Sequence, residues 1–434
     1  MRRPTYVFTN RVYPPVGGAT GELLKELAEG LVSGGARVIV VTSLPEETKR
    51  PRDQGTAGGR RSETGDRRRV ASQPTDKGLK DEEPETAAAV GDSASPARAG
   101  RGQTKGRDVV NGVEIIRVGA APFTRASHWR RALSYLGLYP QLMWQVWKLG
   151  KVDAVVSMTD PPLQVAAVTI ASRKGVKKVH WAQDVYPELA EELGVIPRGG
   201  LLARVLRVVS TWALRMQDEV VVVGRCMRER LIERGVDAGK IEVIPNWSSV
   251  KPVGAEQVTV MRRRLGWEGK FVVLYSGNIG LAHDFETLVD AARLLGGAGV
   301  ELVFAGEGPR LEELRRDTAG LDHVRFLPPQ PKEELSAFLA AADLHLVSVR
   351  AGLEGLVVPS KAYGILAAGR PLLYVGGPDA EVARVIAESG CGTVVPNGDP
   401  TGLAEAIKRA ASRGRQPDAA RATDFAATLA KWRE

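Results

Sequence analysis

The sequence predicts an α/β protein built from two doubly wound parallel sheets. Short apolar stretches of strand length alternate with amphipathic helical stretches through most of the 434 residues, a pattern typical of parallel sheets covered by helices on both faces. The alternation pauses at PNWSSVKPVG, residues 245–254, and then starts again. Because a chain of this length exceeds what one hydrophobic core usually serves, two domains are expected.

The composition indicates an ordinary soluble protein with a basic surface. Hydrophobic residues make up 43% and charged residues 26% of the chain, and the formal net charge is +9. This excess is spread along the chain, which fits an anionic substrate or a membrane surface. No helix-turn-helix, zinc-ligand spacing or aromatic RNA-binding motif is recognisable, so we expect no nucleic-acid partner.

Cysteine content and hydropathy predict a cytoplasmic protein. Cys226 and Cys391 are far apart in the sequence and indicate a reducing compartment, not a disulfide framework. The first residues contain no apolar signal core. No run of about 18 apolar residues is present, so no helix is expected to span a membrane.

The predicted N-terminal domain, residues 1–245, opens with a strand at Tyr6–Thr9 and a loop that contains Gly17 and Gly18. A strand, a glycine turn and a helix form a ligand-facing crevice in α/β folds, and the loop is a candidate for acceptor approach. A flexible turn explains the two glycines equally well, and no GxGxxG dinucleotide motif is present. Further strands are predicted at Arg37–Thr42, Val113–Val118, Ala154–Ser157, Lys178–Trp181, Glu219–Val223 and Ile241–Ile244.

Residues 45–108 differ from the rest of this domain in composition. Val70, Leu79 and Val90 are the only large apolar residues between Glu46 and Asp108, and aromatic residues are missing. Such a segment cannot bury enough apolar surface to become ordered. We therefore expect a disordered insertion in a loop.

Residues 127–151 combine aromatic with basic side chains. These are Trp129, Tyr135, Tyr139, Trp144, Trp147, Arg130, Arg131, Lys148 and Lys151. The mixture favours helices that lie in a membrane interface, and a helix pair packed on the domain is an equally good alternative. Pro140 is expected to split the segment into two helices.

Asp184 is the candidate polar group of the N-terminal domain, because it follows directly after a predicted strand in the motif WAQDVYPE. It could bind an acceptor hydroxyl or take its proton. The competing interpretation is a cap for a helix around Glu188–Glu192. His180, on the strand itself, is expected to be buried and hydrogen-bonded.

The predicted C-terminal domain, residues 246–415, carries glycine-rich loops where its strands end. The loops YSGNIG, AGEGP and FLPPQ contain the donor-binding candidates Gly277, Asn278, Glu307 and Leu327. Carboxyl ends of parallel strands share one sheet edge, where ligands bind. A final helical pattern at 416–434 could pack back on the N-terminal domain. The strands are expected at Phe271–Tyr275, Glu301–Ala305, Val324–Leu327, Leu344–Val347, Leu372–Val375 and Thr393–Val395.

The stretch Asp343–Pro378 reads strand, loop, helix, turn and strand. Pro359 is expected to open the helix, and Gly369 to close it in a left-handed conformation. The free N–H groups of Ser360 and Lys361, with the lysine charge, would hold an anion. The preceding loop adds Arg350, Glu354 and Gly355, and its carboxylate could accept hydrogen bonds from sugar hydroxyls. An ordinary βαβ unit with a capped helix is the simpler alternative.

With these motifs the chain resembles the retaining family 4 glycosyltransferases, which have the GT-B fold of two doubly wound Rossmann-like domains facing across a cleft. The resemblance covers the chain outside the insertion and rests on NRVYPPVGGAT, VIPNW, AGEGP and AAGRP. The set WAQDVYPE, YSGNIG and GLVVPSKAYGILAAGRP is most similar to N-acetylfucosaminyl and related deoxysugar transferases of bacterial surface polysaccharides. It implies a nucleotide-sugar donor in the C-terminal domain, an acceptor in the N-terminal domain, retention of configuration, and neither metal nor other cofactor.

The chain also departs from the family pattern. The family pattern has two glutamates separated by seven residues. Glu354 fits the first of them, but the position of the second is occupied by Ala362. The usual arginine and lysine on the donor diphosphate fall near Asn278 and His283, and the usual histidine is Gln183. Lys361, Ser360 and Arg350 are therefore the candidates for holding the diphosphate.

The sequence thus predicts a retaining glycosyltransferase that moves a sugar from a nucleotide sugar, UDP-linked by resemblance, to a polyprenyl-diphosphate-linked or saccharide acceptor. Asp184, Glu354 and Lys361 are the predicted catalytic residues. The protein is expected at the inner face of the cell membrane, in peripheral contact with anionic lipid. A nucleotide-sugar epimerase on the same fold and a catalytically silent partner of a transferase complex are the alternatives.

Overall fold

The computed structural model describes residues 2–14, 18–44, 106–119 and 128–415. The described chain forms two twisted sheets covered by helices, which confirms the α/β class and the two doubly wound sheets. The larger part of the predicted insertion, Gly17 and the predicted helix at 416–434 lie outside these residues. The domain boundary at residue 245 stays a prediction.

The first sheet has eight strands in the order β3-β4-β2-β1-β5-β6-β7-β8. All neighbours are parallel except β3 and β4. The order turns back at β1 and β5, which makes the gap between their carboxyl ends the switch point of this sheet. The strands are β1 Thr5–Thr9, β2 Arg37–Ser43, β3 Gly106–Val110, β4 Val113–Val118, β5 Ala154–Ser157, β6 Lys177–Ala182, β7 Glu219–Val222 and β8 Ile241–Val243.

The second sheet is fully parallel, in the order β11-β10-β9-β12-β13-β14. This is the strand order 3-2-1-4-5-6 of a doubly wound nucleotide-binding fold, with its switch point between β9 and β12. The strands are β9 Phe271–Ser276, β10 Val300–Ala305, β11 Val324–Leu327, β12 Leu344–Ser348, β13 Leu372–Val375 and β14 Gly392–Val395.

Helices connect the strands on both faces. In the first half they are α1 Ala19–Ser33, α2 His128–Leu149, α3 Gln164–Ala171, α4 Glu188–Glu192, α5 Leu201–Arg215 and α6 Arg225–Glu233, with a 3₁₀ helix at Ala238–Lys240. In the second half they are α7 Ala255–Leu265, α8 Glu286–Leu294, α9 Leu311–Asp317, α10 Lys332–Ala341, α11 Lys361–Ala367, α12 Glu381–Ser389 and α13 Pro400–Arg413.

Three sequence-based expectations about elements need correction. Residues 106–108, expected to be disordered, belong to β3, which pairs antiparallel with β4. All five residues of β3 are exposed, so its sequence carries no burial pattern that would reveal a strand. Pro140 lies inside the single helix α2 and does not split it. Helix α11 begins at Lys361 rather than Pro359, although the Ala362 N–H donates to the Pro359 carbonyl across 3.3 Å.

The two halves share part of their hydrophobic core. Leu353, Leu356 and Val358, from the loop between β12 and α11, pack in the same buried cluster as residues of β1, β6 and α6. Cys226 and Met227 of α6 belong to that cluster. The loop 353–358 is therefore the structural link that carries C-terminal residues to the carboxyl edge of the first sheet.

Candidate active site

The donor-side candidates meet at the switch point of the second sheet. Gly277 follows β9 and Lys361 opens α11 beyond the loop after β12. A Cβ placed on Gly277 would lie 3.4 Å from Cε and 3.6 Å from Nζ of Lys361. Gly277 has φ of 130°, so only glycine fits this conformation and leaves room for the lysine. The structure thus brings these two predicted residues together.

Lys361 presents a buried amine with no partner. Its Nζ makes no hydrogen bond among the described residues and lies 3.7 Å from the centroid of the Tyr275 ring. Burial lowers the pKa of Lys361 from 10.5 to about 7. The Nδ1–H group of the neighbouring His283 donates to the Ser348 carbonyl, 2.6 Å away. Burial, and secondly the charge of Lys361, lower the pKa of His283 to about 3. A buried cation without a counter-ion is a position that an anionic ligand would stabilise.

The backbone N–H groups in the loop after β9 and at the start of α11 differ in whether a carbonyl already accepts from them. The Gly277 N–H, expected to face a diphosphate, donates to the Ala305 carbonyl across 2.9 Å and extends the β9–β10 ladder. The N–H groups of Asn278, Gly280, Ser360 and Lys361 have no acceptor among the described residues. These groups, rather than that of Gly277, are free to bind an anion.

Glu354 and Arg350 lie on the loop after β12. The Glu354 carboxylate sits over the backbone after β13, because a Cβ on Gly377 would be 2.5 Å from its Oε1. No hydrogen bond or ion pair with described residues engages this carboxylate. Arg350 is exposed, and its guanidinium lies 3.4 Å from the Leu281 carbonyl in the loop after β9. Both side chains are free to meet a ligand, and neither is held by a counter-charge.

The other donor-side candidates occupy different positions. The Leu327 carbonyl accepts from the Gly306 N–H across 3.0 Å, and the side chain is half-buried at the end of β11. The Glu307 side chain is exposed, and its carbonyl accepts from the Ile279 N–H. Gly355 lies against α6, where an added Cβ would be 2.6 Å from the Cys226 carbonyl oxygen. The contact at Gly355 joins the two halves, which is a packing role that the sequence did not indicate.

Asp184 follows β6 and lies beside the loop from the other half. It forms a backbone bridge with Val357, which also bridges to Glu354. The Val185 N–H donates to the Leu356 carbonyl across 2.9 Å. Two of the predicted catalytic residues are thus tied to one short segment of the C-terminal half.

The environment of Asp184 favours the protonated carboxyl group. Burial, and secondly the charge of Asp160, raise its pKa from 3.8 to about 7. Helix α4 begins after Pro187 and has no side-chain cap, so Asp184 does not cap it. His180 is buried, 3.0 Å from the Ser157 hydroxyl through Nδ1, and burial lowers its pKa to about 4, as expected for a satisfied core histidine.

The switch point of the first sheet is occupied by an ion pair that the sequence analysis missed. Arg11, after β1, and Asp160, after β5, approach to 2.8 Å. The sequence signal for this pair was the presence of charged residues soon after β1 and β5, since such positions meet at a sheet edge.

Gly18, the predicted acceptor-side glycine within the described residues, directly precedes α1. A Cβ there would lie 3.1 Å from Cγ1 of Val12.

Residues at the junction of the halves are held by paired side chains. Gln183 and Asn246 exchange two amide hydrogen bonds of 3.1 and 2.8 Å, and both are buried. The rings of Trp181 and Trp247 stack with centroids 5.6 Å apart. Gln183, which replaces the usual family histidine, is therefore committed to the junction in this structure.

Two doubly wound sheets in one chain are the architecture of the GT-B glycosyltransferases. The family described as "Glycosyl transferase 4-like domain" matches residues 18–247, and the one described as "Glycosyl transferases group 1" matches residues 270–413. The chain belongs to the family 4 glycosyltransferases.

Two curated bacterial proteins are similar in sequence. The probable glycosyltransferase WbjE of Pseudomonas aeruginosa is 31% identical over 261 residues, 59% of this chain and 65% of that protein. The putative colanic acid biosynthesis glycosyl transferase WcaI of Escherichia coli K12 is 30% identical over 242 residues, 53% of this chain and 58% of that protein. The matched part is less than two thirds of the length of either relative.

Solved structures support the fold. Sucrose-phosphate synthase from Thermosynechococcus elongatus superimposes with a TM-score of 0.68 at 16% identity, covering 99% of this chain and 95% of that one. Anabaena Alr3699/HepE in complex with UDP and glucose gives 0.66 at 15% identity, covering 99% and 97%. WaaG, a glycosyltransferase involved in lipopolysaccharide biosynthesis, gives 0.59 at 18% identity, covering 98% and 95%.

The described residues contain neither a membrane-spanning helix nor a cluster of metal ligands. No helix there is long and apolar enough to cross a membrane. Within the same ranges, no group of three or more His, Cys, Asp or Glu side chains is placed to hold a metal ion.

Proposed function

We propose that this glycosyltransferase moves a sugar from a UDP-linked donor to a lipid-linked or polysaccharide acceptor, with retention of configuration, in surface polysaccharide synthesis. The observation that carries the donor assignment is the buried, unpartnered Nζ of Lys361. The free N–H groups of Asn278 and Gly280, in the loop after β9, and of Ser360, before α11, support it. The complex of a similar fold with UDP and glucose supports the class of donor. The similarity to a putative colanic acid biosynthesis glycosyl transferase supports the pathway.

Lys361 and the free N–H groups would stabilise the departing diphosphate, whose charge grows as the glycosidic bond breaks. Arg350, exposed over the loop after β9, would approach the same phosphates. Glu354 would accept hydrogen bonds from hydroxyls of the transferred sugar. Ala362, where the family pattern has a second glutamate, is buried in the core with 2% exposure. We therefore assign it no contact with the donor.

Asp184 would orient the acceptor hydroxyl, since its bridge to Val357 places it beside the loop that carries Glu354. Its raised pKa of about 7 allows it to exchange a proton near neutral pH. The acceptor would be a polyprenyl-diphosphate-linked sugar or a saccharide, presented at the inner face of the cell membrane.

Incubation of the full chain with a panel of nucleotide sugars, with and without polyprenyl-diphosphate sugars, tests the proposal. We expect transfer only when both substrates are present, with release of UDP. Sugar interconversion without an acceptor would show an epimerase instead. Binding of UDP without turnover of any pair would support the silent-partner alternative. The anomeric configuration of the product, read by NMR, tests retention.

A further inference from the structure

Helix α5 carries a face of large apolar residues that the described chain does not cover. The face recurs at each turn of the helix, and its members include Leu201, Val208 and Val205, which are 80%, 70% and 50% exposed. Further exposed members are Leu202, Val209, Trp212 and Met216. A helix in a globular protein normally buries this kind of face, and a contiguous exposed apolar area marks a binding surface.

The exposed face continues over the neighbouring helices. Helix α3 packs against both α5 and α2. Ile170 on α3 is 64% exposed, and Trp144 and Trp147 on α2 are 57% and 48% exposed, with their rings stacked at 5.2 Å. The exposed apolar residues of α2, α3 and α5 together form what we name the apolar face.

The stretches of chain that form the apolar face carry charge of one sign. The stretches 128–152, 161–183 and 193–217, which contain the three helices, hold twelve Lys and Arg residues and no Asp or Glu. Arg207 and Arg198 pair with glutamates of α4. Arg204, Lys148 and Lys174 have no ion pair within the described chain, so positive charge remains on this side.

We propose that the apolar face docks on an anionic lipid bilayer. Tryptophan, aliphatic and basic side chains on one side of surface helices suit the interface between headgroups and acyl chains. A second copy of the chain fits less well, because a twofold dimer would bring two basic surfaces together.

This docking deepens the proposed function, because it identifies a partner on the acceptor side. The Ser210 hydroxyl donates to the Tyr186 carbonyl across 3.0 Å, and Arg207 pairs with Glu188 and Glu191. The segment that begins at Asp184 is thus fixed to α5. Docking of α5 on a bilayer would bring Asp184 close to the headgroup layer, where a lipid-linked acceptor presents its sugar.

The test uses an environment-sensitive fluorophore at a single introduced cysteine, which is feasible because Cys226 and Cys391 are buried. Val208→Cys places the label on the apolar face, and Val260→Cys, on a residue that is 60% exposed on α7, is the matched control. Vesicles of equimolar phosphatidylglycerol and phosphatidylcholine should shift the emission of the label at 208 to the blue and leave the label at 260 unchanged. Pure phosphatidylcholine vesicles should give a weaker shift.

The second measurement is vesicle co-sedimentation of the triple variant Leu201→Ser, Val205→Ser and Val208→Ser. We expect its vesicle affinity to fall roughly tenfold or more, while the exposed-residue control Val260→Ser with Leu294→Ser binds like wild type. Equal binding by the triple variant would overturn the proposal. A label at 208 that is already blue-shifted without vesicles would also overturn it, and sedimentation velocity would then tell a second copy from a covering segment of the same chain. These readouts use no sugar donor, so they are independent of whether transfer occurs.

Discussion

At the scale of single residues, burial without a counter-ion defines Lys361. The amine faces the Tyr275 ring, the Gly277 backbone and a histidine whose pKa is too low for it to be charged near neutral pH. An anion at this position would gain an electrostatic partner that water does not already satisfy.

Substitutions of Lys361 and Glu354 should have different effects, because Lys361 is assigned to the diphosphate of the donor and Glu354 to its sugar. Lys361→Ala is expected to weaken UDP binding and to lower kcat by roughly 10²–10³, since its charge acts most strongly on the leaving group. Glu354→Gln is expected to lower turnover but to leave UDP affinity unchanged, because it is assigned to the sugar. Calorimetric titration with UDP and single-turnover transfer rates provide the measurements.

Lys408→Ala is the matched control, because this lysine is exposed on α13 and distant in sequence from the site. If Glu354→Gln abolishes UDP binding while Lys361→Ala leaves it intact, the two assigned roles are reversed.

Asp184 should make stability depend on pH in a defined direction. Its pKa is raised from 3.8 to about 7 in the folded protein, so the folded state binds the proton more tightly than the unfolded state. The contribution of Asp184 to stability is therefore fully present below about pH 4 and is lost as the pH rises through 7. Asp184→Asn cannot ionise, and we expect its free energy of unfolding relative to wild type to increase between pH 4 and pH 7.

Denaturant melts of both proteins across that pH range measure the effect. A difference between wild type and Asp184→Asn that stays constant with pH would contradict the raised pKa.

Part of the site at this scale was predictable from the sequence. Lys361 and Gly277 were expected at one sheet edge because strand ends of a parallel sheet converge, and the structure places them in contact. The hydrogen bond from the Gly277 N–H to the Ala305 carbonyl was not predictable, because it depends on how far the β9–β10 ladder extends past the end of β9. The Arg11–Asp160 pair joins residues 149 positions apart, a contact that no local pattern encodes.

At the scale of elements, the loop between β12 and α11 connects the halves and carries Glu354. Two of its glycines have left-handed backbones, Gly352 with φ of 86° and Gly355 with φ of 74°. They differ in surroundings, because a Cβ on Gly352 meets only Glu192 Oε2 at 3.6 Å, whereas one on Gly355 meets the Cys226 carbonyl oxygen at 2.6 Å.

These two glycines give a matched pair of substitutions. Gly352→Ala should cost about 1–2 kcal/mol from the backbone alone, with little change in turnover. Gly355→Ala should cost more and should also reduce turnover, because the loop must move away from α6. Thermal melting and transfer assays of both variants measure this, and equal effects would mean that the contact with α6 does not position the loop.

Elements were predicted where burial imposes a pattern and missed where it does not. The buried strands of both sheets lie within one or two residues of their predicted limits. The edge strand β3 is exposed at every residue and had no such pattern. The apolar periodicity of α5 is typical of a helix, but periodicity reports that one face is apolar and not whether the fold covers it.

At the scale of the whole molecule, ion pairs between α6 and α12 hold the halves together. Arg225 binds Glu381 at 2.9 Å and also pairs with Glu388, while Arg384 binds Glu229 at 2.7 Å. Glu381 is 2% exposed and also accepts from the Arg225 N–H. These ion pairs join residues that are far apart in the sequence. The sequence therefore predicted two facing sheets but not the ion pairs that hold them together.

Arg225→Met should release this contact. The Glu381 carboxylate would remain buried without its guanidinium, which costs about 3 kcal/mol or more, and separation of the halves would relieve that cost by admitting water. We expect a larger radius of gyration by small-angle X-ray scattering and a lower melting temperature. Arg263→Met, which removes a surface pair with Glu268, should change stability by less than about 1 kcal/mol. Identical scattering of Arg225→Met and wild type would show that the pairs do not set the closed arrangement.

With the role proposed for Lys361, binding of the donor diphosphate should also take up a proton at Nζ of this lysine. At pH 8 most of the free protein would carry this amine uncharged, given its pKa of about 7. A bound diphosphate favours the ammonium form, so a proton must be drawn from the buffer as UDP binds. The heat of UDP binding should therefore differ between buffers of high and low ionisation enthalpy, with uptake approaching one proton in wild type and near none in Lys361→Met. A buffer-independent heat in wild type would show that the lysine is already charged before the nucleotide arrives.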